Sequence, residues 1–245
     1  MQVTYIYHSG FLVELDTMYL LFDYYKGELP EWKDAKPLYV FASHAHQDHF
    51  NPQIFALTRT HRKVHYILSK DIKLTPRKCE REKITAKDLD KVTWLKAAEK
   101  EEFNIDEVEG AKFCVETFHS TDRGVAFLVQ AEGRQIFHAG DLNWWIWEEE
   151  DKCYNNNMTA RFLRELEQLR GRKIDVAFLP LDPRQEIYYA KGIEQYREVM
   201  TIRHIFPMHM WENYGIISQY EKEYGKGRDG KVYRIRHKNQ TFHVD

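Results

Sequence analysis

A run of metal-capable side chains directly after an apolar stretch limits most strongly what this chain can fold into. The run is His44-Ala45-His46-Gln47-Asp48-His49, and the residues before Ser43, Leu38 to Ala42, are apolar without alternation. Such continuous apolarity predicts a strand that is covered on both faces. The histidine cluster is therefore predicted to occupy a loop at the carboxyl end of a buried strand.

The spacing within this run suits metal binding. In an extended backbone His44 and His46 project to the same side and can reach one ion, while an irregular loop can present Asp48 and His49 to a second ion. With 12 histidines in 245 residues, the pattern HxHxDH arises by chance in roughly 0.002 of such chains. We therefore favour a metal site over a solvated polar loop.

Further ligands are expected at the ends of other strands, because two ions need about three more protein groups. His119 follows the β-type run 112–118, Asp141 follows the run 136–140, and His209 follows the run 205–208. Each is a metal-capable residue just past a predicted strand. We expect these three side chains to converge on the cluster at 44–49.

The ordered set His44-x-His46-x-Asp48-His49, His119, Gly140-Asp141 and His209 resembles the metallo-β-lactamase fold superfamily. The early hairpins and the segment Phe137-His-Ala-Gly-Asp141 are most similar to its UlaG-like, ribonuclease-Z-like branch. The resemblance covers nearly the whole chain. It implies an α/β fold, a four-layer αββα sandwich with the metal site at one edge of the two sheets.

The resemblance also implies roles for the ligands. One metal would be held by His44, His46 and His119, the second by Asp48, His49 and His209, and Asp141 would bridge them. The implied activity is that of a metal-dependent hydrolase, in which a hydroxide shared by two divalent ions and oriented by Asp48 attacks an ester, lactone, amide or phosphodiester. Zinc is the expected metal, with manganese and iron as alternatives.

Other polar residues are candidates for supporting roles. Asp23, in the family-like segment Leu21-Phe22-Asp23, would orient a loop or a ligand histidine. His8, His138 and Tyr214 are candidates for protonating the leaving group, although His8 equally suits a plain hairpin turn. The basic residues Arg59, Arg62 and Lys63 fit a solvated helix end better than a phosphate site.

Several tryptophans follow Asp141 and His209 closely. Trp144, Trp145 and Trp147, and likewise Trp211 with Tyr214, either wall a pocket for a small-molecule substrate or belong to the core or an oligomer contact. A homo-oligomer is therefore left open.

Alternative functions are weighed against charge and ligand pattern. Lys and Arg number 36 against 38 Asp and Glu, a net charge of -2, which disfavours a nuclease or phosphodiesterase that acts on nucleic acid. A non-catalytic metal-binding module would be expected to lack a ligand. In the flavodiiron branch a Glu typically stands at the position of His46, which disfavours di-iron redox chemistry.

The remaining pattern predicts the overall organisation. Short β-rich runs with hairpin turns, such as Ser9-Gly10, fill the first 45 residues. Asn51-Pro52 predicts the start of a helix, helices then alternate with strands, and a closing strand is expected at 232–236. We expect one domain over residues 1–245, with a charged segment around 70–111 whose elements have no clear pattern. No span is apolar enough for a membrane, and Cys79, Cys114 and Cys153 suggest no disulfide framework. A cytoplasmic location is expected.

Overall fold

The structure, a computed structural model, describes residues 1–30, 36–61, 63–106, 108–225 and 229–245. Arg62 of the predicted basic cluster lies outside the described residues. Fourteen strands are described in this part of the chain: β1 (Gln2–Tyr7), β2 (Gly10–Glu14), β3 (Tyr19–Phe22), β4 (Leu38–Ala42), β5 (Val64–Ser69), β6 (Val92–Leu95), β7 (Lys100–Asn104), β8 (Lys112–His119), β9 (Val125–Ala131), β10 (Arg134–His138), β11 (Lys173–Pro180), β12 (Thr201–Met208), β13 (Lys231–Val232) and β14 (Gln240–His243).

Helices occupy the segments between these strands. Five α-helices are described, α1 (Pro76–Glu82), α2 (Ala86–Leu89), α3 (Lys152–Glu167), α4 (Lys191–Val199) and α5 (Gly215–Tyr224), together with 3-10 helices at Pro52–Arg59 and Pro183–Tyr188. The first 3-10 helix begins as the sequence predicted, because the side chain of Asn51 accepts a hydrogen bond from the backbone of Gln53 and Pro52 occupies the first turn.

Two mixed seven-stranded sheets form the framework. The first has the order β14-β1-β2-β3-β4-β5-β6 and the second the order β13-β12-β11-β10-β9-β8-β7. The strands β1, β2 and β3 pair antiparallel, as the predicted hairpins require. β14 also pairs antiparallel with β1, and β3 to β6 pair parallel. The fully apolar β4 lies between β3 and β5 and is buried along its whole length, as predicted.

Aromatic side chains join the two sheets face to face. The ring of Phe11 on β2 lies 4.3 Å from that of Phe178 on β11, and the ring of Phe41 on β4 lies 5.3 Å from that of Phe127 on β9. In the first sheet alternate residues, such as Phe11 and Val13 of β2, enter this layer, and the two sheets bury one shared apolar core. The core holds the two sheets, and hence the loops at their edges, in a fixed relative position.

Helices cover the outer faces. On the first sheet Phe55 of the 3-10 helix packs on Tyr66 of β5 with ring centroids 4.6 Å apart. On the second sheet Tyr196 of α4 packs on Phe137 of β10 at 5.7 Å and on Phe162 of α3 at 5.6 Å. The order is helix, sheet, sheet, helix, which confirms the predicted αββα sandwich.

Some element predictions differ from the structure. The charged segment 70–111 forms α1, α2 and the strands β6 and β7, each the last strand of its sheet. An edge strand exposes much of its surface and needs no apolar alternation, which explains the weak pattern there. The predicted closing strand at 232–236 was wrong beyond Val232, and the structure has β14 instead. The assignment of residues 1–245 to one domain stays a prediction. Among the described residues, the helices are too short or too polar to cross a bilayer.

Candidate metal centre

Loops at one edge of the two sheets bring histidine and aspartate side chains into two adjacent groups. The first group is His44, His46, Asp122 and Asp141, and the second is His8, Asp48, His49 and His209. Within each group the possible ligand atoms lie within 4.8 Å of one another. These residues follow the ends of β1, β4, β8, β10 and β12, so strands that are distant in sequence deliver them to one place.

Asp141 lies between the two groups. Its Oδ2 is 3.3 Å from Nε2 of His44 in the first group, and its Oδ1 is 3.2 Å from Nε2 of His49 and 3.4 Å from Nε2 of His209 in the second. One carboxylate therefore faces both groups, as a bridging ligand must. The side chain is 8% exposed, so it has little access to solvent that could hydrate its charge.

The residues fit a divalent cation. Ligand atoms bonded at ~2.1 Å to a tetrahedral ion are separated by roughly 3.4 Å, which matches the separations around Asp141. Buried atoms at the centre make no hydrogen bond among the described residues: Nε2 of His8, His44, His49 and His209, and Oδ1 of Asp141. Since buried polar atoms are normally paired, this cluster of unpaired ligand atoms fits a bound cation.

A second layer of hydrogen bonds orients three of the imidazoles. Nδ1 of His49 lies 2.7 Å from Oδ2 of Asp23, and Nδ1 of His209 lies 2.8 Å from Oδ2 of Asp182. Nδ1 of His44 lies 3.0 Å from the hydroxyl of Ser43, which donates to Asp23 at 2.6 Å. Each imidazole thus keeps Nε2 free for a ligand, as metal-bound histidines do. The geometry agrees with the orienting role predicted for Asp23.

The charge of the site also calls for cations. Five carboxylates lie in or beside the two groups, those of Asp23, Asp48, Asp122, Asp141 and Asp182. Burial opposes the ionisation of Asp141, but the surrounding imidazoles outweigh it and hold the pKa of Asp141 well below its ordinary value. Burial likewise opposes charge on His49, yet Asp141 and Asp23 raise its pKa well above the ordinary value. Asp23, Asp141 and Asp182 are buried, and buried carboxylates at such close quarters are stable only with positive partners.

Six of the seven predicted ligands are brought together, and His119 is not. His119 is the last residue of β8, pairs with Val125 across the hairpin and has an exposed side chain. Asp122 lies in the first group instead, with Oδ2 3.4 Å from Nδ1 of His46. The hydroxyl of Thr121 bonds to the backbone oxygens of Asp141 and Asn143 and draws this turn towards the site. The ligand role of His119 therefore has no geometric support here.

The sequence feature that could have pointed to Asp122 is the glycine two residues later, which marks a tight turn. Gly124 has φ +67°, and a Cβ there would lie 2.0 Å from the backbone oxygen of Ser43. Only glycine allows the β8–β9 turn to approach the histidine loop this closely. The pattern Asp-x-Gly thus marks the turn, although nothing in the sequence says what the turn approaches.

The three residues predicted as candidates for protonating the leaving group lie in different positions. His8 is buried in the second group, with Nε2 3.4 Å from Oδ2 of Asp48, so it lies at the site and is also part of the β1–β2 turn. His138 is fully buried, with Nε2 bonded to the backbone oxygen of Ser9 and Nδ1 to the backbone N–H of Gly140. Tyr214 packs edge-on against Tyr5 and is not among the residues that line the cavity.

A cavity of about 280 Å³ opens beside both groups. Its lining comprises His46, Asp48, Thr121, Asp122, Asp141, Trp145, Trp147, Tyr154, Met158, Arg184 and His209. Two of the predicted pocket tryptophans thus line it, whereas Trp144 packs against Phe162 and the ring of Trp211 lies 4.4 Å from that of His8 at a tilt of 58°. The two groups of candidate metal ligands, here called the metal groups, both contribute residues to this cavity, whose size suits a small molecule.

Unusual backbone conformations concentrate at this edge. His8, Asp23, His209, Trp211 and Glu212 all have positive φ, between 42° and 65°. Residues with a Cβ rarely adopt this conformation, and it tends to persist where the surrounding structure enforces it, often at functional sites. Five other described residues with a Cβ also have positive φ, so the conformation recurs at this edge without being confined to it.

The chain belongs to a known family. The model of the beta-lactamase superfamily domain matches residues 2–209, which with the αββα architecture confirms the resemblance to the metallo-β-lactamase fold superfamily. The UlaG-like branch stays a prediction. No curated protein matches the sequence significantly.

Solved structures share the fold at low sequence identity. Igni18, a metallo hydrolase from Ignicoccus hospitalis, aligns with a TM-score of 0.58 and 16% identity over 100% of this chain and 99% of its own. The metallo-beta-lactamase fold protein YhfI from Bacillus subtilis aligns at 0.57 and 11%, over 98% of each chain. CmlA, a diiron β-hydroxylase from Streptomyces venezuelae, aligns at 0.57 and 12% over 99% of this chain but 54% of its own. These likenesses establish the fold.

Proposed function

We propose that this chain is a hydrolase of small molecules that works with two divalent metal ions. The observation that carries the proposal is the position of Asp141, whose two carboxylate oxygens face different groups at 3.2 to 3.4 Å. A carboxylate shared in this way is typical of a dinuclear site. The adjoining cavity gives a substrate access to both groups.

Two bound divalent ions would act as Lewis acids that lower the pKa of water towards ~7 and polarise a carbonyl or phosphoryl oxygen. The chain's own residues position the reactants. Asp48 lines the cavity and has a 26% exposed side chain, so its carboxylate can accept a hydrogen bond from the attacking water. In the net reaction the water oxygen bonds to the carbonyl or phosphoryl centre, the bond to the leaving group breaks, and the leaving atom takes a proton.

The ligand atoms that the two groups offer favour zinc over manganese and iron. The second group offers three imidazoles and one carboxylate, a set that zinc accepts readily. The first group offers two imidazoles and two carboxylates, which suits manganese or iron as well. We propose zinc in both groups and treat the other metals as outcomes of metal analysis.

The test combines metal analysis with a substrate panel. Protein purified without chelator is expected to hold close to two metal ions and to hydrolyse at least one member of a panel of esters, lactones, amides and phosphodiesters. Asp141→Ala should lose metal and turnover, whereas Asp175→Asn, which changes a carboxylate that bonds the backbone of Gln135 far from the groups, should retain both.

Each alternative predicts a different result. Two metals without hydrolysis of any substrate would favour a non-catalytic metal-binding module. Full metal content in Asp141→Ala would disprove the bridge. Activity on RNA or DNA alone would favour a nuclease, which the small cavity and its carboxylates disfavour.

A further inference from the structure

The cavity beside the metal groups has one wall that is aromatic and apolar. Trp145, Trp147, Tyr154 and Met158 form it. The indole planes of Trp145 and Trp147 are 7° apart with centroids 6.0 Å apart, and the ring of Trp145 lies 5.3 Å from that of His209. A flat apolar group placed against this wall would lie next to the metal groups.

Hydrogen bonds fix this wall before any ligand binds. The indole N–H of Trp145 donates to the backbone oxygen of Asp141 at 2.9 Å. The amide side chain of Asn155 accepts from the backbone N–H of Trp147 at 3.0 Å and donates to its backbone oxygen at 2.8 Å. A preorganised wall loses little freedom on binding, so its shape selects the ligand.

Arg184 is the one positively charged residue among the described residues that line the cavity, apart from any protonated histidine. Asp182 accepts from Nε at 3.0 Å and from Nη2 at 2.5 Å, and the guanidinium lies 4.6 Å from the ring of Trp211. Asp182 also bonds His209, which ties the arginine to the metal centre. The side chain is still 51% exposed, and no hydrogen bond from Nη1 is described in the resolved ranges.

The arrangement around Arg184 is that of an anion receptor. Its plane and one edge are fixed by Trp211 and Asp182, so the other edge is presented to the cavity without further loss of freedom. A guanidinium edge matches the two oxygens of a carboxylate or phosphate. The remaining charged lining residues, Asp48, Asp122 and Asp141, belong to the two groups of candidate metal ligands. Arg184 is therefore the lining side chain that can hold an anion apart from the metal ions.

We propose that the cavity accepts small substrates that combine a flat apolar group, held against Trp145 and Trp147, with a carboxylate or phosphate held by Arg184. The hydrolysed bond of such a substrate lies over the metal groups, and this part of the proposal rests on the proposed function. An aromatic ester or lactone that carries one separate anionic group is the class that fits. On hydrolysis water adds at the acyl carbon, the acyl C–O bond breaks and the released alcohol oxygen takes the proton, while the anionic group is unchanged.

The binding test uses ligands without an ester, lactone or phosphodiester bond, and chromatography after each titration checks that the amide is intact. The metal-loaded protein is titrated with 4-phenylbutyrate, 3-phenylpropylphosphonate, 4-phenylbutyramide and butyrate, and binding is measured by calorimetry. We expect the better anion to bind roughly tenfold or more tightly than the amide, and the phenyl group to improve binding over butyrate by a similar factor. The ratio between carboxylate and phosphonate tells which anion the site prefers.

Variants then separate the two features. Arg184→Gln should remove the preference for the anion while binding of the amide and the metal content stay unchanged. Arg203→Gln is the matched control, since Arg203 is 59% exposed and also paired to one aspartate, Asp175, and it should leave all four affinities unchanged. Trp147→Leu should remove the preference for the phenyl group over butyrate.

Two results would overturn the proposal. Undiminished anion binding in Arg184→Gln would mean that the metal ions hold the anion. Equal weakening of anion and amide would mean that Arg184 acts only on the shape of the site. These results are independent of turnover. Binding that depends on Arg184, in a protein that hydrolyses no member of the substrate panel, would contradict the proposed function and leave the anion site standing.

Discussion

Asp23 accepts a hydrogen bond from Nδ1 of His49 at 2.7 Å while both side chains are completely buried. The same carboxylate accepts from the backbone N–H of Ser43 at 2.7 Å and from its hydroxyl at 2.6 Å. One aspartate on the loop after β3 thus fixes the start of the histidine loop and the ring that turns towards the second metal group. A hydrogen bond to the nitrogen of a histidine that does not face the metal fixes the orientation of the imidazole ring.

We expect Asp23→Asn to weaken metal binding by about 10- to 100-fold. The backbone N–H of Ser43 donates to Oδ1 of Asp23, whereas its hydroxyl and Nδ1 of His49 donate to Oδ2. In Asn one of these oxygens becomes an NH₂ group that faces a donor, so the network breaks on one side and the imidazole loses its fixed orientation. Competition with a chromogenic chelator measures the affinity. Asp175→Asn serves as the control, and an affinity in Asp23→Asn equal to that of the wild type would show that Asp23 does not orient the site.

Two variants test whether His119, the ligand predicted from the sequence, or Asp122, which the structure places in the first group, binds metal. Asp122→Asn is expected to lower the metal content by close to one ion per chain, because Asp122 faces His46 in the first group. His119→Ala should keep the full content, because this side chain is exposed at the end of β8. Elemental analysis after gel filtration gives the content, and loss of metal in the His119 variant alone would reverse our assignment.

Two glycine variants test the close approach of the β8–β9 turn to the histidine loop. Gly124→Ala would place a Cβ 2.0 Å from the backbone oxygen of Ser43, whereas Gly133 has a similar φ of +72° with nothing within 4 Å of such a Cβ. We expect Gly133→Ala to cost about 1 kcal/mol for its backbone conformation and Gly124→Ala to cost about 2 kcal/mol more for the clash.

Urea unfolding of the two glycine variants gives this comparison, and metal content provides a second readout. Only Gly124→Ala should lose metal, because the turn that it displaces carries Asp122. Equal stabilities of the two variants would contradict the close approach.

The stability of the protein is expected to depend on Asp88 at neutral but not at acidic pH. Its carboxylate accepts from the backbone N–H and hydroxyl of Thr85 at 2.8 and 2.7 Å and from the hydroxyl of Thr58 at 2.8 Å. Burial opposes the charge, but these hydrogen bonds outweigh it and lower the pKa of Asp88 below its ordinary value of 3.8. A depressed pKa stabilises the folded state above the unfolded value, and this stabilisation is lost as the pH falls through the folded value.

Asp88→Asn should therefore lower the free energy of unfolding by about 1 kcal/mol at pH 7. The difference from the wild type should shrink as the pH falls below 3.8. Denaturant titrations at a series of pH values provide the measurement, with the exposed neighbour Asp90 changed to Asn as the control. A difference that stays constant down to strongly acidic pH would contradict the role of the charge.

Much of the framework could be predicted because its signals are local. The apolar run before Ser43 predicted a strand buried on both faces, and β4 is such a strand. The turn at Ser9-Gly10 predicted the first hairpin, which β1 and β2 form. The edge strands β6 and β7 could not be predicted in this way, because an exposed strand carries charged residues and is held by its neighbour in the sheet rather than by its own pattern.

The amino-acid sequence by itself determined that histidines and aspartates lie at the ends of strands. Both the strand ends and the motif at 44–49 can be recognised from short runs of consecutive residues. Only the tertiary structure decided that Asp122 and His8 enter the groups and that His119 stays outside. The direction of a side chain on a turn depends on contacts with segments far along the chain, here those of Thr121 with the Asp141 loop and of Gly124 with Ser43. A local pattern does not encode such contacts.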